Sequence, residues 1–354
     1  YAENTPDGGG AKQVDWSDST GSFTAEKVLD FETGTISFNT STATWSHSSG
    51  AAGKGEIESL TWTDQQGNDI EYKKAVFKYD RINIGSSVTV NLSGTNPISL
   101  QTENNGNITI NSNLIANGAG GFAGRGLGGV GILGGANGGN SNRDPGDAGD
   151  GIGGGGQTGS GHATHFRQWI GAGGSYGGAG TGYARDGRSV DPGPVYGDRK
   201  ISALLAGSGG SGAHHDSQGS GGAGGGAIEV KADGTGDVTI GSGVQISVNG
   251  GDASSNRVGG AGSGGAIRVE GRNVTNEGIL SAIGGKQGKH DRSGAGGGGR
   301  IALIAREKLV PGSTNVSGGI NNRGTATLGE DGTLHVEATS GGMDALDFNS
   351  GIVT

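Results

Sequence analysis

Apolar and polar residues alternate in short runs near both ends of the chain. Thr35-Ile36-Ser37-Phe38, Leu60-Thr61-Trp62-Thr63 and Ser87-Val88-Thr89-Val90-Asn91-Leu92 carry the two-residue period of half-buried strands. Gln66-Gly67-Asn68 and Ser93-Gly94 supply turns around them. Helical periodicity is nearly missing, and Ala25-Glu26-Lys27-Val28-Leu29 is enough for a single turn only. Toward the far end Thr325-Ala326-Thr327-Leu328 and Thr333-Leu334-His335-Val336-Glu337 alternate again, with Glu330-Asp331-Gly332 between them as a hairpin-type turn. Ile352-Val353-Thr354 ends the chain as a candidate free strand.

Between these regions the pattern repeats. Gly225-Gly226-Ala227-Ile228-Glu229-Val230 recurs as Gly264-Gly265-Ala266-Ile267-Arg268-Val269 and as Gly298-Gly299-Arg300-Ile301-Ala302-Leu303, at spacings of 39 and 34 residues. Pro97-Ile98-Ser99-Leu100 is a weaker earlier copy. Each copy is followed by a second strand that ends near Gly: Leu114 to Gly118, Ile246 to Gly250, Leu280 to Gly284 and Asn315 to Gly318. A unit this short cannot bury its apolar face alone, so stacked copies must share a core. The expected fold is all-β: a β-solenoid or β-helix-like body over 96–310 with a long insert at 119–224, a β-rich region at 1–95 and a β tail at 311–354. Ile228, Val230, Ile246, Val248, Ile267, Val269, Ile279, Ile301 and Leu303 are the expected inward ladders.

Composition changes this picture in one respect. Glycine supplies 83 of 354 residues and aromatics only 5%, a bias that by itself suggests low complexity. The glycines are concentrated, however, in 118–139, 149–182 and 207–226, between runs of β character. Long structureless loops are uncommon in compact domains. Two readings follow: flexible loops, or extended polyproline-II-like segments whose backbones approach closely because no Cβ intervenes. Local glycine spacings of three, as in Gly118, Gly121 and Gly124, agree with the second. Collagen is excluded, since glycine keeps no strict register of three and there are six prolines. No apolar run is long enough to span a membrane as a helix. Cysteine is absent, so disulfides and thiolate metal sites are too. The net charge of −9 and the lack of a basic cluster argue against nucleic acid as a partner. The chain starts at Tyr1 rather than Met, as a secreted form with its leader removed would.

The sequence Gly-Gly-Ala-Ile-x-Val at 225–230 and 264–269, its variant at 298–303, and the insert Gly174-Ser175-Tyr176-Gly177-Gly178 resemble the glycine-rich repeats of large secreted surface proteins of environmental bacteria. The resemblance covers roughly 80–310. It implies a β-helical body, right-handed by analogy, and an extracellular or cell-surface location, but no particular chemistry. The glycine stretches are also similar in texture to the glycine-rich adhesin tips of tailed phages, from which the regular strand repeat departs.

Three clusters are candidate sites. His162 and His165, with His214-His215-Asp216 further on, are a metal candidate, but their glycine flanks provide no helix to hold them, and exposed loop histidines are the alternative. Asp144, Asp147 and Asp150 offer oxygen ligands suited to calcium on a glycine-flexed loop, although their spacing matches no standard calcium loop. A solvated acidic turn is the alternative there. Phe166, Trp169, Tyr176, Tyr183 and Tyr196 concentrate the chain's few aromatics, interleaved with Arg167, Arg185, Arg188 and Arg199. Such a group can bind a ligand such as a sugar face through Phe166, Trp169, Tyr176, Tyr183, Arg185 and Tyr196. It can equally form a small core that anchors an insertion glycine cannot hold. No nucleophile elbow or other catalytic constellation stands out. The expected function is a non-enzymatic structural or adhesive component of an extracellular surface, fibre or matrix, needing no cofactor beyond possible calcium. Its expected partners are further copies of itself, forming filaments, or surface polysaccharide. The alternative is a carbohydrate-binding or polysaccharide-degrading β-helix protein.

Overall fold

Alternating residues at the start of the described chain form six strands: β1 (Val28–Asn39), β2 (Thr44–His47), β3 (Ala52–Lys54), β4 (Glu56–Thr63), β5 (Asp69–Tyr79) and β6 (Arg81–Ser93). The computed structural model describes residues 27–339 except 65, 124–125, 142–145, 157–169, 186–187, 214–218, 256–257, 290–291, 325 and 327. The architecture is all-β with mainly parallel pairing. From Val28 the expected single helical turn is strand, because Leu29 and Phe31 alternate into the core.

Each repeat then contributes three strands, not two. The first gives β7 (Ile98–Thr102), β8 (Ile108–Ile110) and β9 (Leu114–Ile115). A hairpin in the insert supplies β10 (Tyr183–Arg185) and β11 (Arg188–Val190). The second repeat gives β12 (Ala227–Lys231), β13 (Val238–Ile240) and β14 (Gln245–Ser247). The third gives β15 (Ala266–Gly271), β16 (Val274–Asn276) and β17 (Ile279–Ser281). The fourth gives β18 (Arg300–Ala305), β19 (Leu309–Val310) and β20 (Ser313–Asn315), and β21 (Thr333–Ala338) begins a fifth. First strands stack in a seven-stranded sheet, β21-β18-β15-β12-β7-β5-β4. Middle strands stack in an eight-stranded one, β19-β16-β13-β8-β6-β1-β2-β3. Last strands stack in a four-stranded one, β20-β17-β14-β9.

The parallel register sets equivalent residues over one another. Ile98, Ile228, Ile267 and Ile301 form one inward ladder, and Leu100, Val230, Val269 and Leu303 the next. All are buried in one shared core. Ile279 departs from expectation. It pairs with Gln245, faces outward and is 49% exposed, while Leu280 takes the inward place beside Ile246 and Leu114. Side-chain carbonyls tie the corners between sheets. Asn107 Oδ1 accepts the Asp237 N–H, Asp237 Oδ1 accepts that of Asn273, and Asn273 Oδ1 accepts that of Lys308.

Aromatic rings close the core at its N-terminal end. Phe31 and Trp45 meet edge to face at 5.5 Å, Phe38 and Phe77 at 5.0 Å, and the Trp45 indole N–H donates to the Tyr79 hydroxyl at 2.5 Å. At the other end β21 pairs parallel with β18, so Glu330-Asp331-Gly332 is not a hairpin turn; this run enters the strand from a glycine segment instead. The expected terminal strand at 352–354 lies outside the described residues. No helix among the described residues is long and apolar enough to cross a membrane.

Ile267→Ala is expected to lower unfolding free energy by about 2–5 kcal/mol, the usual range for truncating a closed core side chain. Ile279→Ala should change it by less than about 0.5 kcal/mol, as at an ordinary surface site. Urea unfolding of both variants checks the register directly.

Candidate functional site

The glycine segments are built into the structure by their peptide groups. From Gly219 to Ala227 successive N–H groups point in rotation at three neighbours. Gly219, Gly222 and Gly225 donate to Val258, Gly260 and Ser263. Ser220, Ala223 and Gly226 donate to Phe122, Ala119 and Ala116, and Gly221, Gly224 and Ala227 to Gly139, Ala136 and Leu133. The neighbouring 207–213 segment repeats the rule: Gly207, Gly210 and Ala213 bond to Gly225, Gly222 and Gly219, while Gly209 and Gly212 bond to Asp150 and Asp147. A strand serves two neighbours with a period of two; these segments serve three with a period of three. The absence of Cβ atoms permits the spacing. A Cβ on Gly222 would collide with the carbonyl oxygen of Gly251, and one on Gly121 with that of Ser220. The segments are therefore packed elements of a bundle, not loops.

At one end of the bundle, segments run into strands or turn beside them: Gly219–Gly226 leads into β12, Gly226 and Ala227 sit level with Ala116 and Leu133, and Gly135 N–H closes back on Ile132 and Gly154 N–H on Gly151. Toward the other end Ala213 bonds to Gly219, Gly219 to Val258, Ser220 to Phe122, Ser141 to Gly126, Ala253 to Lys286 and Gly171 to Arg292. Phe122, Leu127 and Val130 are 58%, 67% and 61% exposed.

Two polar clusters secure the bundle to the body. Tyr176 is fully buried and Tyr196 nearly so, with ring centroids 4.8 Å apart. The Arg300 guanidinium lies 5.3 Å from the Tyr176 ring centre and donates from Nη2 to the Tyr196 carbonyl at 2.7 Å. The Tyr196 hydroxyl donates to the Ala206 carbonyl at 2.5 Å. Burial pushes both phenols well above their ordinary range and pulls the Arg300 guanidinium down. Ile201, Leu204 and Leu205 pack with these rings against Ala227, Ala266 and Ala302, the outer face of the seven-stranded sheet.

Beside them on that face lies Glu229, whose carboxylate is held by Arg268 Nη1 at 2.7 Å, Lys74 Nζ at 3.4 Å and the Ser99 hydroxyl at 2.5 Å. Ser99, Glu229 and Arg268 are register neighbours on β7, β12 and β15. Burial alone pushes the Glu229 carboxyl up; Lys74, Ser99 and Arg268 outweigh it and hold the group below the usual carboxylate range. Sequence inspection did not single out this cluster. Its signal was present in the repeats, which carry Glu and Arg at the same position.

The expected site residues are dispersed. Tyr176 and Tyr196 meet in the small core and present no ring face to solvent. Tyr183 packs half-buried against Ile170, Ala172 and Val190. The Arg185 side chain, Phe166, Trp169, Asp144, His162, His165, His214, His215 and Asp216 lie outside the described residues. Asp147 and Asp150 are set in a bundle segment by their backbones, and Asp147 also accepts from Asn140 Nδ2 at 2.8 Å. Among the described residues no three His, Asp or Glu side chains gather closely enough to hold a metal ion. No protein-family model matches the chain, and no curated protein or solved structure is significantly similar to it.

Gly222→Val is expected to destabilise the fold strongly and to raise amide hydrogen exchange across 207–226; ordinary protection in the variant would contradict a packed bundle. Glu229→Ala removes the buried carboxylate shared by Lys74, Arg268 and Ser99, leaving Lys74 with Glu58 and Arg268 with Glu270, and should cost up to about 3 kcal/mol, the low end for breaking a buried pair. Because the folded carboxyl is depressed, its contribution is complete above the unfolded carboxylate pKa and is lost as pH falls through the folded value. The difference in unfolding free energy between wild type and variant, measured by urea unfolding at a series of pH values, should accordingly shrink as pH falls.

Proposed function

We propose that the chain is an extracellular structural or adhesive protein: a β-solenoid body carrying a lateral bundle of polyproline-II-like glycine segments that presents exposed apolar side chains to a surface. One observation carries this reading. The bundle is fixed by backbone hydrogen bonds in three directions, and it carries the exposed apolar residues Phe122, Leu127 and Val130. A lattice held by backbone leaves its outward side chains free to vary, and a rigid support is where recognition residues are usually placed. The three-residue rotation of N–H groups supports the polyproline-II assignment. The repeated three-strand unit supports the solenoid assignment. Surface polysaccharide is the proposed partner class. The exposed Phe122 and Leu127 give flat and branched apolar contact on the bundle surface.

Retention of labelled protein on polysaccharide-coated surfaces tests the proposal. The double variant Phe122→Ser, Leu127→Ser should reduce retention by about tenfold, equivalent to losing about 1.4 kcal/mol of contact, with an unchanged unfolding midpoint. Depolymerisation of the coating by the wild-type protein would replace the adhesive reading with an enzymatic one.

A further inference from the structure

The four-stranded sheet differs chemically from the other two. The seven-stranded sheet carries Lys74, Glu229 and Arg268 on its outer side, and the eight-stranded sheet carries the Asp30–Arg81 pair. In 113–117, 245–249, 279–283 and 313–317, the four rungs of the four-stranded sheet with their margins, the second residue of each strand, such as Ile246 and Leu280, turns into the core. The alternate residues turn outward. Each of these is Asn, Gln, Ser or Ile, and none is ionisable. Pairing is one to one across all four strands, with no bulge to break the surface.

The carboxamides on this face are pinned by their oxygens. Asn113 Oδ1 accepts the Gln245 N–H at 2.7 Å, Asn117 Oδ1 the Asn249 N–H at 2.7 Å, and Asn249 Oδ1 the Ile283 N–H at 2.8 Å. The Ser247 and Ser281 hydroxyls donate to the same Asn117 and Asn249 oxygens, each at 2.7 Å. A backbone N–H bonds only to the oxygen end of an amide, so each amide orientation is set and its Nδ2 is left over as a donor. None of these three Nδ2 groups has an acceptor among the described residues. Neighbouring rungs are about 4.8 Å apart, so Asn117 and Asn249 set their donors in a row. Two apolar side chains accompany them. Ile115 lies between Asn113 and Asn117 on its own strand and is 39% exposed; Ile279 is the register neighbour of Gln245 and is 49% exposed. Neither belongs to an apolar cluster of the described residues.

We propose that this face is a second binding surface, and that its ligand is a neutral polysaccharide bearing N-acetyl groups. Charge decides the first half. An anionic chain would meet the protein's net charge of −9 without a Lys or Arg here to receive it, and a cationic one would find no carboxylate. The unused groups decide the second half. Pinned donors call for an acceptor, which an acetamido carbonyl supplies, and the methyl group beside that carbonyl fits against Ile115 or Ile279. A bare glucan instead brings many hydroxyl donors to a face whose asparagine oxygens are already engaged, and a donor that loses water without a new partner weakens binding. No aromatic ring is present on the face for stacking on a sugar. The inference takes polysaccharide as the partner class from the adhesive reading, but its surface is separate from Phe122 and Leu127.

Calorimetric titration of the full chain with a hexasaccharide of N-acetylglucosamine should show saturable binding, and cellohexaose should bind about tenfold or more weakly. The double variant Asn117→Asp, Asn249→Asp keeps the oxygens that hold the backbone and removes only the outward donors. It should weaken binding about tenfold with an unchanged unfolding midpoint. Ile279→Ala should weaken it about threefold or more, also without a change in stability. Phe122→Ser with Leu127→Ser should leave this titration as it is, even where it lowers retention on coated surfaces. No binding of the acetylated sugar at millimolar concentration, equal affinity for the two sugars, or full affinity in the Asn117 and Asn249 variant would each overturn the proposal. Retention that still depends on Phe122 and Leu127 would then leave the adhesive reading standing without this surface.

Discussion

Close approach of one backbone to another is the constraint on which the molecule depends. In the bundle, peptide N–H groups meet carbonyls of three surrounding segments, and a methyl group at Gly121, Gly222 or Gly262 would strike a neighbour's carbonyl. Ordering glycine is costly, by roughly 0.5–1 kcal/mol per residue relative to alanine. A hydrogen bond returns about 0.5–1.5 kcal/mol net. The two are of the same size, so the bundle has little margin by itself. Each segment also needs all three neighbours, which makes the bundle cooperative.

The remaining stability comes from parts that do bury hydrocarbon. The ladders running through Ile228, Ile267 and Ile301 give the body a continuous apolar core. Tyr176, Tyr196 and Arg300 then join bundle and body where Arg300 leaves the glycine segment and enters β18. Its guanidinium reaches the Tyr196 carbonyl and the Thr333 hydroxyl, joining the insert, β18 and β21 at one point. The buried Glu229 does the same across β5, β7, β12 and β15 with charge rather than rings.

Much of the fold was legible because parallel stacking preserves sequence register. The Gly-Gly-Ala-Ile-x-Val copies align residue for residue, so their ladders followed from the text of the chain. The middle strands did not. Val238–Ile240 and Val274–Asn276 are three residues long and carry no glycine signature, and a segment that short has no measurable period. Ile279 was misplaced because two adjacent apolar residues, Ile279 and Leu280, leave the inward one undecided until pairing with Gln245 and Ile246 fixes it. Composition left loops and packed segments equally open, since both favour glycine; only the hydrogen-bond partners separate them. Aromatic residues concentrate wherever a large surface is to be covered, by a ligand or by the protein itself. At Tyr176 and Tyr196 it is the protein.

The bundle also bears on how the molecule responds to temperature. Exposing apolar surface raises the heat capacity of unfolding, and exposing polar surface lowers it. A bundle that buries peptide groups in place of side chains adds little to that difference, and the body's ladders supply nearly all of it. The stability curve of the whole chain is therefore broader and flatter than its length implies. Cold weakens hydrophobic burial, so it loosens the body's ladders first, and the bundle anchored on them loosens with them.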